Sequence, residues 1–542
     1  MLLLAACGRA ATTVQGIVLN DQGPVAGARV RVQTSDAFII TGDDGTFTLA
    51  LPAENASTRI TAWAPGYYIT ASEPLISGVD PITLKLIRHH DQDNPEYKWV
   101  SAFASAGVEG NCQNCHSDSS GLLPFEEWRD DAHSQTLSNV RFRSMYQGTN
   151  LAGQASPPTR YGWNRDYGRF QLPPNSAEPY FGPGYKLDFP ETAGNCAACH
   201  APMAAINDPY QTDPLAVHGA AAEGISCDFC HKVWAVDLQT DRGLPNTNMP
   251  GVLSFDLRRP AGDHQFFAGP LDDVAPGEDT YSPIQTESAY CAPCHFGVFW
   301  DTTIYNSFGE WLASDYSDPE EGQTCQDCHM PARGTTHFAV ADQGGLTRDP
   351  ETIRSHRMLG ITDPEFMRKA VSMEASADWS DEGISLSVTV TNDNTGHNFP
   401  SDSPLRNAIL LVQAGDKTGQ PLELLNGPSL PKWSGAEVNK TGHYAGQPGR
   451  MYALLLRERW TGISPTGAYW NPVQIVEDTR LAPFEVDRSS YTFQSPATGP
   501  AQINVKLIFR RAFAELAEQK GWGLEDLTLA SAQINLEGPA SE

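Results

Sequence analysis

The chain has few basic residues, few charges overall and no long apolar run. Against 65 acidic residues stand only 37 lysines and arginines, a formal net charge of −28. Nucleic acids and anionic membrane surfaces repel a chain of that sign, so neither is an expected partner. Nowhere do 18 apolar residues follow one another, which excludes a membrane-spanning helix. Charged residues make up 19% and hydrophobic residues 40%, a globular composition rather than a disordered one. The 542 residues suffice for about three domains at the usual domain size. Glycine and proline are plentiful, with 47 and 40 copies, so turns are many and an all-helical bundle is not expected.

Of the eleven cysteines, ten fall in five Cys-x-x-Cys-His units. These are Cys112-Cys115-His116, Cys196-Cys199-His200, Cys227-Cys230-His231, Cys291-Cys294-His295 and Cys325-Cys328-His329. At this chain's own Cys and His frequencies chance supplies on the order of 0.006 such units, so the five are selected. Two thiols three positions apart reach the two vinyl groups of one porphyrin, and the next imidazole meets the iron. Zinc ribbons or redox Cys-x-x-Cys pairs have no need of a histidine after every second cysteine. The expected cofactors are therefore five covalent c-type haems, with the five motif histidines as proximal ligands.

Residues 13–88 alternate as strands. Val30 and Val32 are flanked by Arg29 and Arg31, and turns fall at Gly23–Gly27, Gly42–Gly45 and Ala64–Gly66. The order G-P-V-x-G-A-x-V-x-V, T-x-D-D-G-x-F and A-P-G-Y resembles the carboxypeptidase regulatory-like domain, a small β-sandwich without catalytic residues of its own. Residues 89–372 hold every haem motif, with about 44 residues for each between Cys112 and His329. So little chain per haem means that porphyrin supplies much of the core. Glu223-Gly224-Ile225-Ser226 before the third motif and Glu321-Gly322-Gln323-Thr324 before the fifth suggest a duplicated two-haem unit. Residues 373–542 return to alternation, as in Ile384, Leu386, Val388 and Val390, with a short helix expected near Arg511–Lys520 and stopped by Gly521. The expected fold is multidomain: an N-terminal β-sandwich, a mostly α or irregular pentahaem core, and a C-terminal β-sandwich.

A sixth ligand is needed at each iron used for electron transfer. Nine histidines lie outside the motifs. Their settings rank His133, His218, His264, His356 and His397 as distal ligands, with His337 in reserve and His89, His90 and His443 below them. His133 is expected on a helix around residues 125–140.

Glu-Gly-Ile-Ser-Cys-x-x-Cys-His, Cys-Gln-Asp-Cys-His-Met-Pro, Trp128-x-x-x-x-His133 and Gly-His-Asn-Phe-Pro together resemble the large bacterial multihaem cytochromes. That group includes the tetrahaem cytochrome of ammonia oxidisers, hydroxylamine oxidoreductase and pentahaem nitrite reductase. Two departures stand out: no motif ends in lysine as at the nitrite reductase catalytic haem, and the C-terminal part reads as strands. The resemblance implies haem attachment outside the cytoplasm, in the periplasm or at the cell surface. Leu4-Ala5-Ala6-Cys7-Gly8 resembles a lipobox, which makes Cys7 the expected lipidation site and membrane contact a matter of that anchor alone. The expected function is electron transfer between a redox protein donor and acceptor, basic in character. The alternatives are an oxidoreductase acting on a small nitrogen or sulfur compound at one five-coordinate haem, or a subunit of a larger complex, homo-oligomer or filament.

Overall fold

The computed structural model describes residues 13–51, 58–75, 81–105, 110–262, 264–437 and 439–538. The expected lipidation site, Cys7, lies outside them.

In the N-terminal part, Thr13–Asn20 pairs antiparallel with Thr46–Ala50 and parallel with Ile82–Lys85. A second sheet orders Phe38–Ile40, Arg29–Val32, Ile60–Trp63 and Thr70–Ala71. The apolar positions of the alternation share one core, in which Val14, Val18, Val30, Ile60, Ala62 and Leu84 are buried. The outward arginines have a use. Arg31 pairs with Asp272 at 2.9 Å, and Trp63 donates its indole N–H to Thr280 at 3.0 Å, so this part is fastened to the motif-bearing segment.

The motif-bearing segment overturns the mostly α expectation. Its helices are single turns or little more, from four residues at Ala197–His200 to eight at Val140–Gln147. Between them lie two-stranded ribbons, Tyr161–Asn164 with Gly168–Gln171, Val233–Val236 with Phe255–Leu257, and Gly297–Phe299 with Thr302–Tyr305. Helices this short do not persist alone in water and are held by what surrounds them. The expected helix around 125–140 ends at Arg129, and His133 sits in a turn. The cause is local: the Asp131 carboxylate accepts the His133 N–H at 2.8 Å, an alternative to helical bonding.

After Val371 the chain forms two sheets. One orders Ser372–Ser380, Gly383–Thr391, Val486–Phe493 and Leu424–Asn426; the other Val473–Asp478, Gly449–Glu458, Asn407–Asp416, Ala501–Arg510 and Leu527–Leu536. Ile384, Leu386, Val388 and Val390 meet Leu410, Val412, Ile503, Val505 and Leu507 between them. The helix Ala514–Lys520 stops at Gly521, whose φ of 68° is left-handed and suits glycine. Among the described residues no helix is long and apolar enough to cross a membrane.

Candidate haem centres

Each motif takes a helical turn or its flank, which sets both cysteines and the histidine on neighbouring faces. Asn111 caps Cys112–His116 by accepting from Asn114 N at 3.1 Å, and Thr324 with Asp327 forms a capping box on Cys325–His329. All ten motif cysteines are unpaired, so the adjacent thiols have not closed into disulfides.

The imidazoles are oriented for iron. The Nδ1 of His116 faces Phe338 O at 2.7 Å, that of His231 faces Ala268 O at 2.8 Å, and that of His329 faces Leu359 O. A carbonyl on Nδ1 fixes the tautomer that leaves Nε2 bare for a metal. His295 Nδ1 lies 3.8 Å from Asp402. Burial alone would raise the Asp402 carboxyl, but His295 and Arg406 beside it hold it well below the usual carboxylate range.

An iron bonded to two Nε2 atoms at about 2 Å each holds the imidazole centroids about 6.3 Å apart. Three pairs stand at that separation. His231 and His356 are 6.4 Å apart with planes at 24°, His329 and His397 are 6.4 Å apart at 19°, and His295 and His133 are 6.3 Å apart at 61°. Three of the five distal candidates thus face a motif histidine.

The other two do not. His218 is exposed at the start of the 3-10 turn Gly219–Ala222. His264 is exposed too, and its Nε2 is engaged with Gly277 O at 2.7 Å. The reserve, His337, lies 3.7 Å from Asp118. Of the three histidines ranked low in the sequence, His443 pairs with Glu518, while His89 and His90 have buried Nε2 atoms without a partner, beside Phe266. No motif spacing marks them; the only sequence signal is that they form the hinge between the N-terminal sheets and the first motif.

Three carboxylates that the sequence reading missed hold the facing histidines in place. Asp131 accepts from both the backbone N–H and the Nδ1 of His133. Glu127, 5% exposed, accepts from His356 N at 2.7 Å and pairs with Arg333 at 2.8 Å. Glu310 accepts from Asn398 N and Ser401 Oγ around the His397 turn and pairs with Arg480 at 2.7 Å. A buried carboxylate with two or three donors resists reorientation, so each loop is fixed at one side chain.

Thiols of different motifs also meet. Cys112 lies within hydrogen-bonding reach of Cys227, Cys199 of Cys294, and Cys291 of Cys325. Tyr290, whose hydroxyl donates to Cys230 O at 3.0 Å, stands between the third motif and the fourth. The contacts therefore run from first to third to fourth, and from the fourth to both the second and the fifth. The fourth motif is a junction.

Two motif histidines, His116 and His200, have phenylalanine rings rather than histidines beside them. No histidine among the described residues stands opposite His200, whose ring is stacked on Phe142 at 4.0 Å and 12°. Near Cys196 lie instead Tyr305 and Tyr469, hydrogen-bonded to one another with centroids 5.4 Å apart, and Asp402 close to both. Burial pushes the Tyr469 hydroxyl up to about 12 and raises Tyr305 well above its ordinary value.

Porphyrin fits this donor set on the structure's own terms: unpaired thiols in adjacent turns, three imidazoles pinned at Nδ1, and three facing ring pairs at the bis-imidazole distance. No family model matches the chain, and no curated protein does. Among solved structures, the penta-heme cytochrome c552 from Thermochromatium tepidum aligns over 78% of this chain and 97% of its own, with a TM-score of 0.52 and 19% identity. This chain shares that fold. The Danio rerio Fcho1 Mu homology domain aligns over 32% of this chain at a TM-score of 0.11 and 11% identity, which is no likeness of fold.

Proposed function

We propose that the protein is an extracytoplasmic c-type cytochrome that passes electrons through five covalently bound haems. The observation that carries this reading is the set of three facing imidazole pairs at 6.3–6.4 Å on motif histidines. Haem so ligated supplies one-electron exchange at an iron whose ligands do not change with oxidation state. The chain's own residues then do the positioning: the carbonyls hold Nδ1, the three carboxylates hold the distal loops, and the motif contacts keep neighbours adjacent. His89 and His90, whose bare, buried Nε2 atoms suit iron, are the residues that would offer a ligand to a haem without a facing pair.

A cleft of about 560 Å³ beside the fifth motif is lined by Asp315, Asp318, Glu321, Tyr316 and Phe484. Its acidic rim suits a basic electron partner, in keeping with the charge of −28. The resting protein is expected to be mostly low-spin, with five haem masses per chain by intact-mass measurement. Electron transfer to a basic redox protein should slow several-fold as ionic strength rises. A mostly high-spin spectrum would refute the conduit.

A second reading rests on the second motif. A haem held by Cys196, Cys199 and His200 would have Tyr305 and Tyr469 near its first thiol and no histidine facing His200, which would suit a small nitrogen or sulfur substrate. One carbon monoxide bound per reduced chain favours this reading, and none excludes it.

A further inference from the structure

Away from all five motifs, two buried carboxylates lie side by side without a cation. Asp188 is 8% exposed and Glu458 4%, and both line a cavity of about 60 Å³ with Thr159, Gln171, Thr461 and Asn471. The amide of Asn471 donates to both, at 2.9 Å to Asp188 and 2.7 Å to Glu458. Their other partners are equally neutral: the Trp470 indole at 2.7 Å and Thr159 on Asp188, and Thr461 on Glu458. Among the described residues neither carboxylate pairs with an arginine, lysine or histidine. Removing two anions from water at this proximity is costly unless something of opposite sign joins them.

A second, separate observation points the same way. Because Asn471 spends its N–H groups on the carboxylates, its carbonyl accepts from Gln171 Nε2 at 3.0 Å, which fixes the Gln171 amide. That leaves Gln171 Oε1 buried without a partner, on a residue 5% exposed that lines the same cavity. Two protons could neutralise the carboxylates, and burial does push both acids upward. Protons would leave Gln171 Oε1 as bare as before. A cation serves all three.

We propose that this cavity is a calcium site, with Asp188, Glu458 and Gln171 Oε1 as its protein ligands. Every available donor is oxygen, with no thiol or imidazole, which selects a hard cation over a transition metal. Calcium accepts an irregular set of six to eight oxygens, whereas magnesium demands a near-octahedral one. The volume also leaves room for one or two waters at about 30 Å³ each to complete the set. The site joins the ribbon Tyr161–Gln171 and the helix Tyr185–Asp188 to the strand Gly449–Glu458, so the ion would clamp the segment before the second motif onto the C-terminal sheets.

The test uses the haem-loaded protein. Elemental analysis after desalting should find one calcium per chain, and a strong chelator should lower Tm by several degrees, with calcium alone restoring it. Calorimetric titration of the stripped wild type should give one site, lost in Asp188→Asn and Glu458→Gln with the haem spectrum unchanged. Because the wild-type measurements stand alone, variants that fail to fold do not decide the matter. A Tm indifferent to chelator and calcium overturns the proposal, as does one that rises only on acidification, the mark of two buried protons. Equal restoration by magnesium overturns the choice of ion.

Discussion

At the scale of single residues, the informative groups are those whose surroundings contradict their chemistry. Lys520 is fully buried, and its ammonium meets only carbonyls, those of Ser144, Thr149 and Pro183. Burial pushes its pKa down to about 7. A lysine with a depressed folded pKa binds its proton more readily when unfolded, so stability falls as pH drops from about 10 to about 7 and levels off below. Thermal melts across that range should show the slope, and Lys520→Met should flatten it. The three carboxylates at the distal loops give a second prediction. Glu127→Gln keeps the shape but weakens the hold on the His356 turn, adding a high-spin fraction at one haem, read by resting-state spectroscopy. Glu127 and Glu310 were invisible in the sequence because nothing in their spacing connects them to His356 or His397, whereas Asp131 lies two residues before His133. The cysteine motifs were fully legible because their chemistry is local, five residues at a time. Facing histidines come from far along the chain, and only folding pairs them; of the five named by their neighbouring residues, His133, His356 and His397 stand opposite motif histidines, whereas His218 and His264 are exposed.

At the scale of elements, alternation was read well where one face is buried and one wet. The strand Gly383–Thr391 buries Ile384, Leu386, Val388 and Val390 and exposes Ser385 and Ser387. Leu410→Ala, in the centre of that core, should cost about 2–5 kcal/mol in denaturant unfolding without altering the haem spectrum. The middle of the chain was read as helical because turn-length helices and longer ones share their first few residues. What ended them was side-chain competition, as at Asp131. Gly224 shows how tightly the resulting loops are packed. At φ 70° a Cβ there would lie 2.4 Å from His133 O and 2.7 Å from Thr136 Oγ1, while Ile225 N donates to that same His133 oxygen at 2.9 Å. Gly224→Ala should thus displace His133 and free the sixth position opposite His295. Carbon monoxide binding should then rise by one equivalent per reduced chain over wild type.

At the scale of the whole molecule, two regions have cores between extended sheets, while the segment between them has only smaller clusters, such as that of Leu137, Met203, Phe229 and Val252. The terminal sheets have continuous cores of their own, from Val14 to Leu84 and from Ile384 to Leu507. Between them run single-turn helices and two-stranded ribbons that, as peptides, would melt. The order of manufacture follows from that contrast. If haem is attached as proposed, a newly made chain would have two ready-made ends and a middle that waits for its pigment, so a ligase would reach the motif thiols before compaction rather than after it. Made in a host without haem ligase, the chain should yield to limited proteolysis between the sheets while the two ends survive as resistant fragments. Each porphyrin installed would then lock one more stretch of the middle, and a molecule missing one would stay open to protease at that stretch.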